Sequence, residues 1–335
     1  MDSPPGTPPD RPNDGDATWS IADVERDTGL GKDTLRVWER RYGFPLPSRD
    51  GLGERAYPPD QVRRLRVIKR LLDAGHRPGK VVPLPFDELQ ALVALGGPAG
   101  RAGAARASVA PAAGLLQDLA SPWLGWLAAD RTDAVRQALQ QHILRHGLGP
   151  TVEDLVAPLC VLVGDAWLRG ELSVYQEHLF TETLQTVLRE AIASLDASGQ
   201  GLARQPRVLL TTTPGEQHGL GLLMAECHFA LESCARFVLG VSTPVADIVL
   251  AARQLRVDVL ALSFSAHASR RDLVDSLRQL QDQLPEGVEV WVGGSAAAAH
   301  RRALPERVVV MRRASDVSAQ VQAWRERRTA LTPAS

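Results

Sequence analysis

The stretch Arg207-Val-Leu-Leu-Thr-Thr-Thr-Pro-Gly-Glu-Gln-His218-Gly-Leu-Gly221 decides how this chain folds. It opens with an apolar run of strand length, passes through Pro214 and Gly215, and becomes apolar again at Leu220. Strand, loop and helix start in that order mark the edge at which open parallel sheets bind ligands. His218 stands on the loop. An imidazole there can ligate a metal, and Glu216, two residues back, can orient it.

Outward from this point, strand and helix patterns alternate through residues 205–328. The strands read as 207–213, 235–241, 257–264, 289–294 and 307–311. The alternation predicts a five-stranded parallel sheet of the flavodoxin-like, Rossmann type, covered on both faces. Upstream, residues 114–200 carry helical periodicity with no strand-like run. Within them lies Trp167-Leu-Arg-Gly-Glu-Leu-Ser-Val-Tyr-Gln-Glu177-His178. Gly170 stops one helix, and Ser173-x-x-Gln176 forms a capping box for the next. A short antiparallel hairpin then brings Trp167, Glu177 and His178 to one mouth of a helical bundle. Leu184, Val187, Leu188, Ala191 and Leu195 continue the second helix's core face.

Residues 18–85 have a different character. Ser20-Ile-Ala-Asp23 caps a short helix. Thr28-Gly-Leu-Gly31 is a tight turn, and Lys32–Tyr42 is a second helix, so the pair reads as a helix-turn-helix. Leu35 and Trp38 share its core face. Thr34, Arg36, Arg40, Arg41 and Tyr42 lie around the other faces, within reach of phosphates or bases. Ser48–Tyr57 is turn-rich and reads as a hairpin wing carrying Arg49, Arg55 and Tyr57. A helix from Asp60 to Asp73 follows, apolar at Val62, Leu65, Ile68, Leu71 and Leu72.

The chain has 335 residues and a net charge of −1, so no global field attracts nucleic acid. Residues 18–80 are an exception, with 14 Lys and Arg against nine Asp and Glu. Positive charge is thus concentrated at the helix-turn-helix, as DNA binding requires. Residues 1–17, rich in Pro, Gly and Asp, read as a disordered tail. Residues 86–113 drift into Ala, Gly and Pro and read as a linker. Cys160, Cys227 and Cys234 have no regular spacing. They predict neither a disulfide framework nor a zinc set, and a reducing cytoplasm fits. The first residues lack a signal-peptide pattern, and no apolar run reaches membrane-spanning length.

Three segments resemble known families. Trp19-Ser-Ile-Ala-Asp-Val24, Thr34-Leu-Arg-Val-Trp-Glu-Arg-Arg-Tyr-Gly43 and the Arg55-x-Tyr57 wing resemble the winged helix-turn-helix of MerR-family regulators. That implies a second helix in the DNA major groove and a wing on the backbone. Glu216-x-His218-x-x-Gly221, with Ser263-x-Ser265 and Gly293-Gly294 downstream, is similar to the signature of cobalamin-binding domains. It implies that His218 ligates cobalt from below and that the Ser and Gly-Gly positions line a slot for the nucleotide tail. Glu stands at 216 where the signature has Asp, which predicts a displaced orienting hydrogen bond. Ser265 replaces Leu, which makes the slot more polar.

Trp167 followed after nine residues by Glu177-His178 resembles the cap of light-responsive cobalamin-dependent repressors of the CarH type. There a four-helix bundle covers the cofactor's upper face, the Trp occupies the space beside the adenosyl group, and Glu and His contact it. Leu168 stands where relatives with a second protein imidazole on cobalt carry His. Together these resemblances imply a DNA-binding regulator rather than an enzyme. Its cofactor is cobalamin, in the adenosyl form, and its partners are operator DNA and further copies of itself, as a dimer or tetramer. An altered pocket holding a bilin, or nothing, is the alternative. A cobalamin-dependent methyltransferase module needs a catalytic domain for which this chain has no room.

Overall fold

The computed structural model describes residues 18–73, 76–96, 122–169, 171–198, 205–266 and 268–331. The expected tail at 1–17, the expected linker from 97 onward and Gly170 lie outside them. The chain divides into two compact units, Met1–Gly97 and Pro98–Ser335.

In the first unit, Ser20 and Asp23 close a reciprocal capping box on α1 (Ile21–Thr28). Gly29 ends α1 at φ +69°, a left-handed position that favours glycine. The chain then enters α2 (Lys32–Tyr42). A small antiparallel sheet orders β1 (Trp19–Ser20), β3 (Arg55–Tyr57) and β2 (Ser48–Arg49) as β1-β3-β2, and its β2–β3 hairpin is the wing. Val24, Leu35, Trp38 and Phe44 form the core with Val62, Leu65, Ile68 and Leu71 of α3 (Pro59–Asp73). A short helix, α4 (Pro78–Val81), adds Val81 to that core.

The expected linker begins too early. Residues Phe86–Gly96 form a helix, α5, whose Leu89 is buried in the same core with Phe86 and Leu92 packed beside it. These three residues recur at helical spacing. The stripe supplies the burial that the Ala- and Gly-rich composition downstream does not.

Among the described residues of the second unit, four helices come first. They are α6 (residues 122–128), α7 (Thr132–His146), α8 and α9 (Val174–Ser198). Helix α8 is built from Leu148–Pro150, a π-helical turn Thr151–Val156 and Ala157–Arg169. Their core includes Val135, Leu139, Leu155, Val163 and Phe180 together with the expected Leu184, Val187 and Leu188, and the expected Ala191 and Leu195 pack beside it. Five parallel strands follow: β4 (Arg207–Thr211), β5 (Ala235–Gly240), β6 (Val259–Ser263), β7 (Glu289–Gly293) and β8 (Val308–Val310). Their order is β5-β4-β6-β7-β8. Helices α10 (Leu220–Leu231), α11 (Val245–Gln254), α12 (Arg270–Gln283), α13 (Ser295–Ala299) and α14 (Asp316–Leu331) connect and cover them.

The bundle and the sheet share a core: Leu223, Cys227 and Ala230 of α10 pack with the bundle's apolar residues. Two polar joints tie the halves. Arg236 on β5 donates to Asp196 on α9 at 2.7 Å, and the Ser315 N–H donates to Glu153 in the π turn at 2.6 Å. Among the described residues no helix is long and apolar enough to cross a membrane.

Candidate cofactor site and nucleic-acid interface

Strand β4 ends in threonines, and these hold the loop that follows. The Thr212 hydroxyl donates to the Glu216 carbonyl at 2.6 Å and accepts from the Ser242 N–H at 2.7 Å. Thr211 and Thr243 hydroxyls lie 2.7 Å apart. The Gly215 N–H donates to the Ser242 hydroxyl at 3.1 Å. Sequence reasoning passed over these threonines. The signal was present, since three consecutive hydroxyls end an apolar strand where backbone groups need partners.

Glu216 is 5% exposed, and its two oxygens receive four hydrogen bonds. Oε1 accepts from the His218 backbone N–H at 2.9 Å and pairs with the His218 ring at Nδ1, 2.6 Å away. Oε2 accepts from the Ser265 N–H and hydroxyl, both at 2.9 Å. Burial by itself pushes this carboxyl up. The bonds from His218 and Ser265 outweigh it and hold the group at about 2. Glu216 is therefore ionised, and the proton of a neutral His218 ring sits on Nδ1. That leaves Nε2 as the basic nitrogen, on a side chain 54% exposed.

The expected displacement of the orienting hydrogen bond does not occur: the longer Glu side chain reaches Nδ1. Ser265 is also placed differently from the expectation, because its hydroxyl is directed at Glu216 and lies 3.1 Å from His218 Nδ1.

The remaining signature residues gather on the same edge of the sheet. Ser263 ends β6 in register with Gly293, which ends β7. A Cβ on Gly221 would lie 2.6 Å from the Ser263 hydroxyl oxygen, so a side chain there would have to turn that hydroxyl away. Gly294 has φ +96°, and a Cβ there would meet the Phe264 carbonyl oxygen at 2.1 Å. These residues fit a corrinoid cofactor in one testable respect. The donor set offers a single half-exposed imidazole whose other nitrogen is tied to an ionised carboxylate. Among the described residues there is no cluster of three or more His, Cys, Asp or Glu that would hold a bare metal ion.

Of the expected cap residues, Trp167 is half-buried and packs against the bundle core. Glu177 accepts from Thr181 at 2.9 Å, and its other oxygen is 2.9 Å from His178 Nδ1. His178 is exposed. The side chain of Leu168 lies outside the described residues.

On the first unit, Arg36, Arg40 and Arg41 are exposed on α2, and Thr34 and Tyr42 are half-buried. Arg36 pairs with Asp33 at 3.0 Å, and Arg41 lies over the Tyr42 ring at 5.4 Å. In the wing, Arg49 donates to the Gly53 carbonyl at 2.6 Å, and Arg55 is held by Glu39 at 2.9 Å. Tyr57 is corrected: it is 0% exposed in the core beneath the wing, so its phenol is unavailable to DNA. Tyr57 lies opposite Trp19 on the β1–β3 ladder, and its ring is packed in the core of the first unit.

Comparison with known proteins agrees with this division. Residues 19–82 match the MerR HTH family regulatory protein model, and residues 128–191 match the B12 binding domain model. The chain is 33% identical to the HTH-type transcriptional repressor CarH of Myxococcus xanthus over 293 residues, covering 84% of this chain and 90% of that protein. It is 30% identical to the HTH-type transcriptional repressor CarA of the same organism, covering 86% of this chain and 90% of that one. The HTH-type transcriptional regulator MlrA of Escherichia coli (strain K12) matches over 72 residues at 36% identity, 22% of this chain and 30% of MlrA. A DNA-reading unit, a helical B12-binding segment and near full-length similarity to two repressors place this chain in the family of MerR-type transcriptional repressors that includes CarH and CarA.

Proposed function

We propose that this repressor binds operator DNA as a homo-oligomer and releases it when light reaches a bound adenosylcobalamin. In this reading α2 enters the major groove with Thr34, Arg36, Arg40, Arg41 and Tyr42, and Arg49 and Arg55 of the wing hold phosphates. His218, kept in that tautomer by Glu216, would hold the cobalt through Nε2. Gly221, Ser263, Gly293 and Gly294 keep the strand ends slim enough for the nucleotide tail. Trp167, Glu177 and His178 cover the upper face. When bound, the cofactor supplies a light-labile cobalt–carbon bond. The chain contributes the pocket, the imidazole and the bundle, and the bundle around Trp167 would pass the state of the cofactor to the contacts between copies. Operator affinity follows because linked helix-turn-helices bind far more tightly than one.

The observation that carries this reading is the 2.6 Å contact between Glu216 and His218 Nδ1. A bilin has no metal to be ligated, so it gives no reason for an exposed imidazole with its tautomer fixed. The test is the absorption spectrum of protein purified in the dark and mixed with adenosylcobalamin, followed by operator binding before and after illumination. Cofactor uptake by wild type, its loss in His218→Ala and operator release on illumination are the expected results. A bilin spectrum, or identical uptake by His218→Ala, sinks the proposal.

A further inference from the structure

We infer that Ser265 is a positioning residue for His218, acting through Glu216, and that Glu216 and Ser265 function as a pair in which neither is replaceable alone. The inference rests on the proposed role of His218. It concerns a residue whose sequence position pointed instead to the tail slot. A glutamate has one more rotatable bond than an aspartate, so its carboxylate has more places to go. At 216 that freedom has to be removed for Oε1 to stay on the imidazole. The structure removes it from the far side: the Ser265 N–H and hydroxyl both hold Oε2 at 2.9 Å, while Oε1 meets the His218 ring at 2.6 Å and its N–H at 2.9 Å.

The carboxylate thus bridges two loops, the one after β4 and the one after β6, and is buried between them. The bridge requires the full reach of a glutamate. An aspartate on the same backbone gives up either His218 or Ser265. The hydroxyl at 265 therefore completes the bridge only when residue 216 is Glu, and its own 3.1 Å approach to His218 Nδ1 is secondary to the 2.6 Å contact that Glu216 makes there. Ser263, two residues earlier on the same strand, does a different job: its hydroxyl oxygen fills the space that a Cβ on Gly221 would need.

The experiment is a double-mutant comparison in the full chain with two readouts. The first is the nitrogen chemical shifts of the His218 ring, at fixed pH and without cofactor, which report the tautomer. The second is the affinity for adenosylcobalamin in the dark. Ser265→Ala is expected to shift the ring away from the pure Nδ1–H form and to weaken binding about tenfold, the usual size for loss of a residue that orients a ligand. Ser265→Thr, which keeps the hydroxyl, is expected to behave as wild type. In a Glu216→Asp background, Ser265→Ala is expected to change neither readout by more than about twofold, because the shorter side chain no longer joins the two.

Equal effects of Ser265→Ala in both backgrounds, or an unchanged ring tautomer in the Glu216 background, overturn the inference. If wild type takes up no cobalamin but the ring shifts follow this pattern, the cofactor reading fails and the positioning role stands.

Discussion

In the first unit the arginines of α2 that we propose for DNA are exposed and lightly held, such as Arg36 on Asp33 and Arg41 over Tyr42, whereas one ion pair elsewhere in the unit is sealed. Arg66 meets Asp27 through two bonds, at 2.8 and 3.0 Å, with the Asp27 side chain 4% exposed. In the second unit the order is reversed: the residue we propose for the ligand, His218, is itself tied into the buried network through Glu216. Recognition and stability are therefore separable in the DNA-reading unit. In the second unit they share atoms. DNA needs surface charge that water can also solvate, while a metal ligand needs one ring in one tautomer, which only a desolvated partner can enforce.

The sharpest attempt to break this contrast removes the sealed pair. Asp27→Ala leaves Arg66 with its carboxylate gone and is expected to cost about 4 kcal/mol. Chemical denaturation of the full chain would show this as an early transition in the first unit. Stability within about 1 kcal/mol of wild type would mean that the pair is solvated and the contrast false.

Gly294→Ala follows. It forces a Cβ against the Phe264 carbonyl at a left-handed backbone position and is expected to cost about 3 kcal/mol, read as destabilisation of the second unit. A neutral result would show that the strand ends relax and are not rigidly set.

Arg36→Ala and Arg41→Ala should leave unfolding unchanged and weaken operator binding. Each should reduce the slope of log affinity against log salt by about one. An altered melting curve with an unaltered slope would assign these arginines to the fold.

The smallest effect expected concerns pH. Burial holds His228 on α10 below its ordinary value of 6.5, against a smaller opposing pull from Glu153, 3.6 Å away. Its unfolded form binds a proton more readily than its folded form. The stability it allows is therefore full above pH 6.5 and declines as pH falls below it. His228→Asn should flatten that decline in the second unit, and an undiminished decline would place the sensitivity elsewhere.

Much of this was legible in the amino-acid order because it is periodic or local. The β–α alternation gave the parallel sheet, and the apolar spacing in 184–195 gave the bundle face. The capping residues gave α1. Residues 86–96 were misread because composition drew attention away from Phe86, Leu89 and Leu92, three apolar residues in a correct helical register. Tyr57 was misread because Arg-x-Tyr puts both residues on one face of a strand, and no local pattern reports that the ring at 57 is packed in the core while Arg55 is held by Glu39. The Glu216–Ser265 bridge joins residues 49 apart, and no local pattern reports which of several hydroxyls will meet a carboxylate. The signature also invited a comparison one position at a time. Glu for Asp and Ser for Leu then looked like two separate departures, when the geometry makes them one.

The proposed role of the His218 imidazole, held by Glu216, as the cobalt ligand can be read spectroscopically. Electron paramagnetic resonance of the protein loaded with cob(II)alamin tests it most directly, because the axial nitrogen splits the cobalt lines. Ordinary nitrogen gives triplets and its heavy isotope gives doublets. Protein grown on heavy-nitrogen histidine and loaded with unlabelled cofactor should show doublets. Triplets in the labelled protein would mean that the cofactor's own base remains on cobalt, and that His218 is not the ligand.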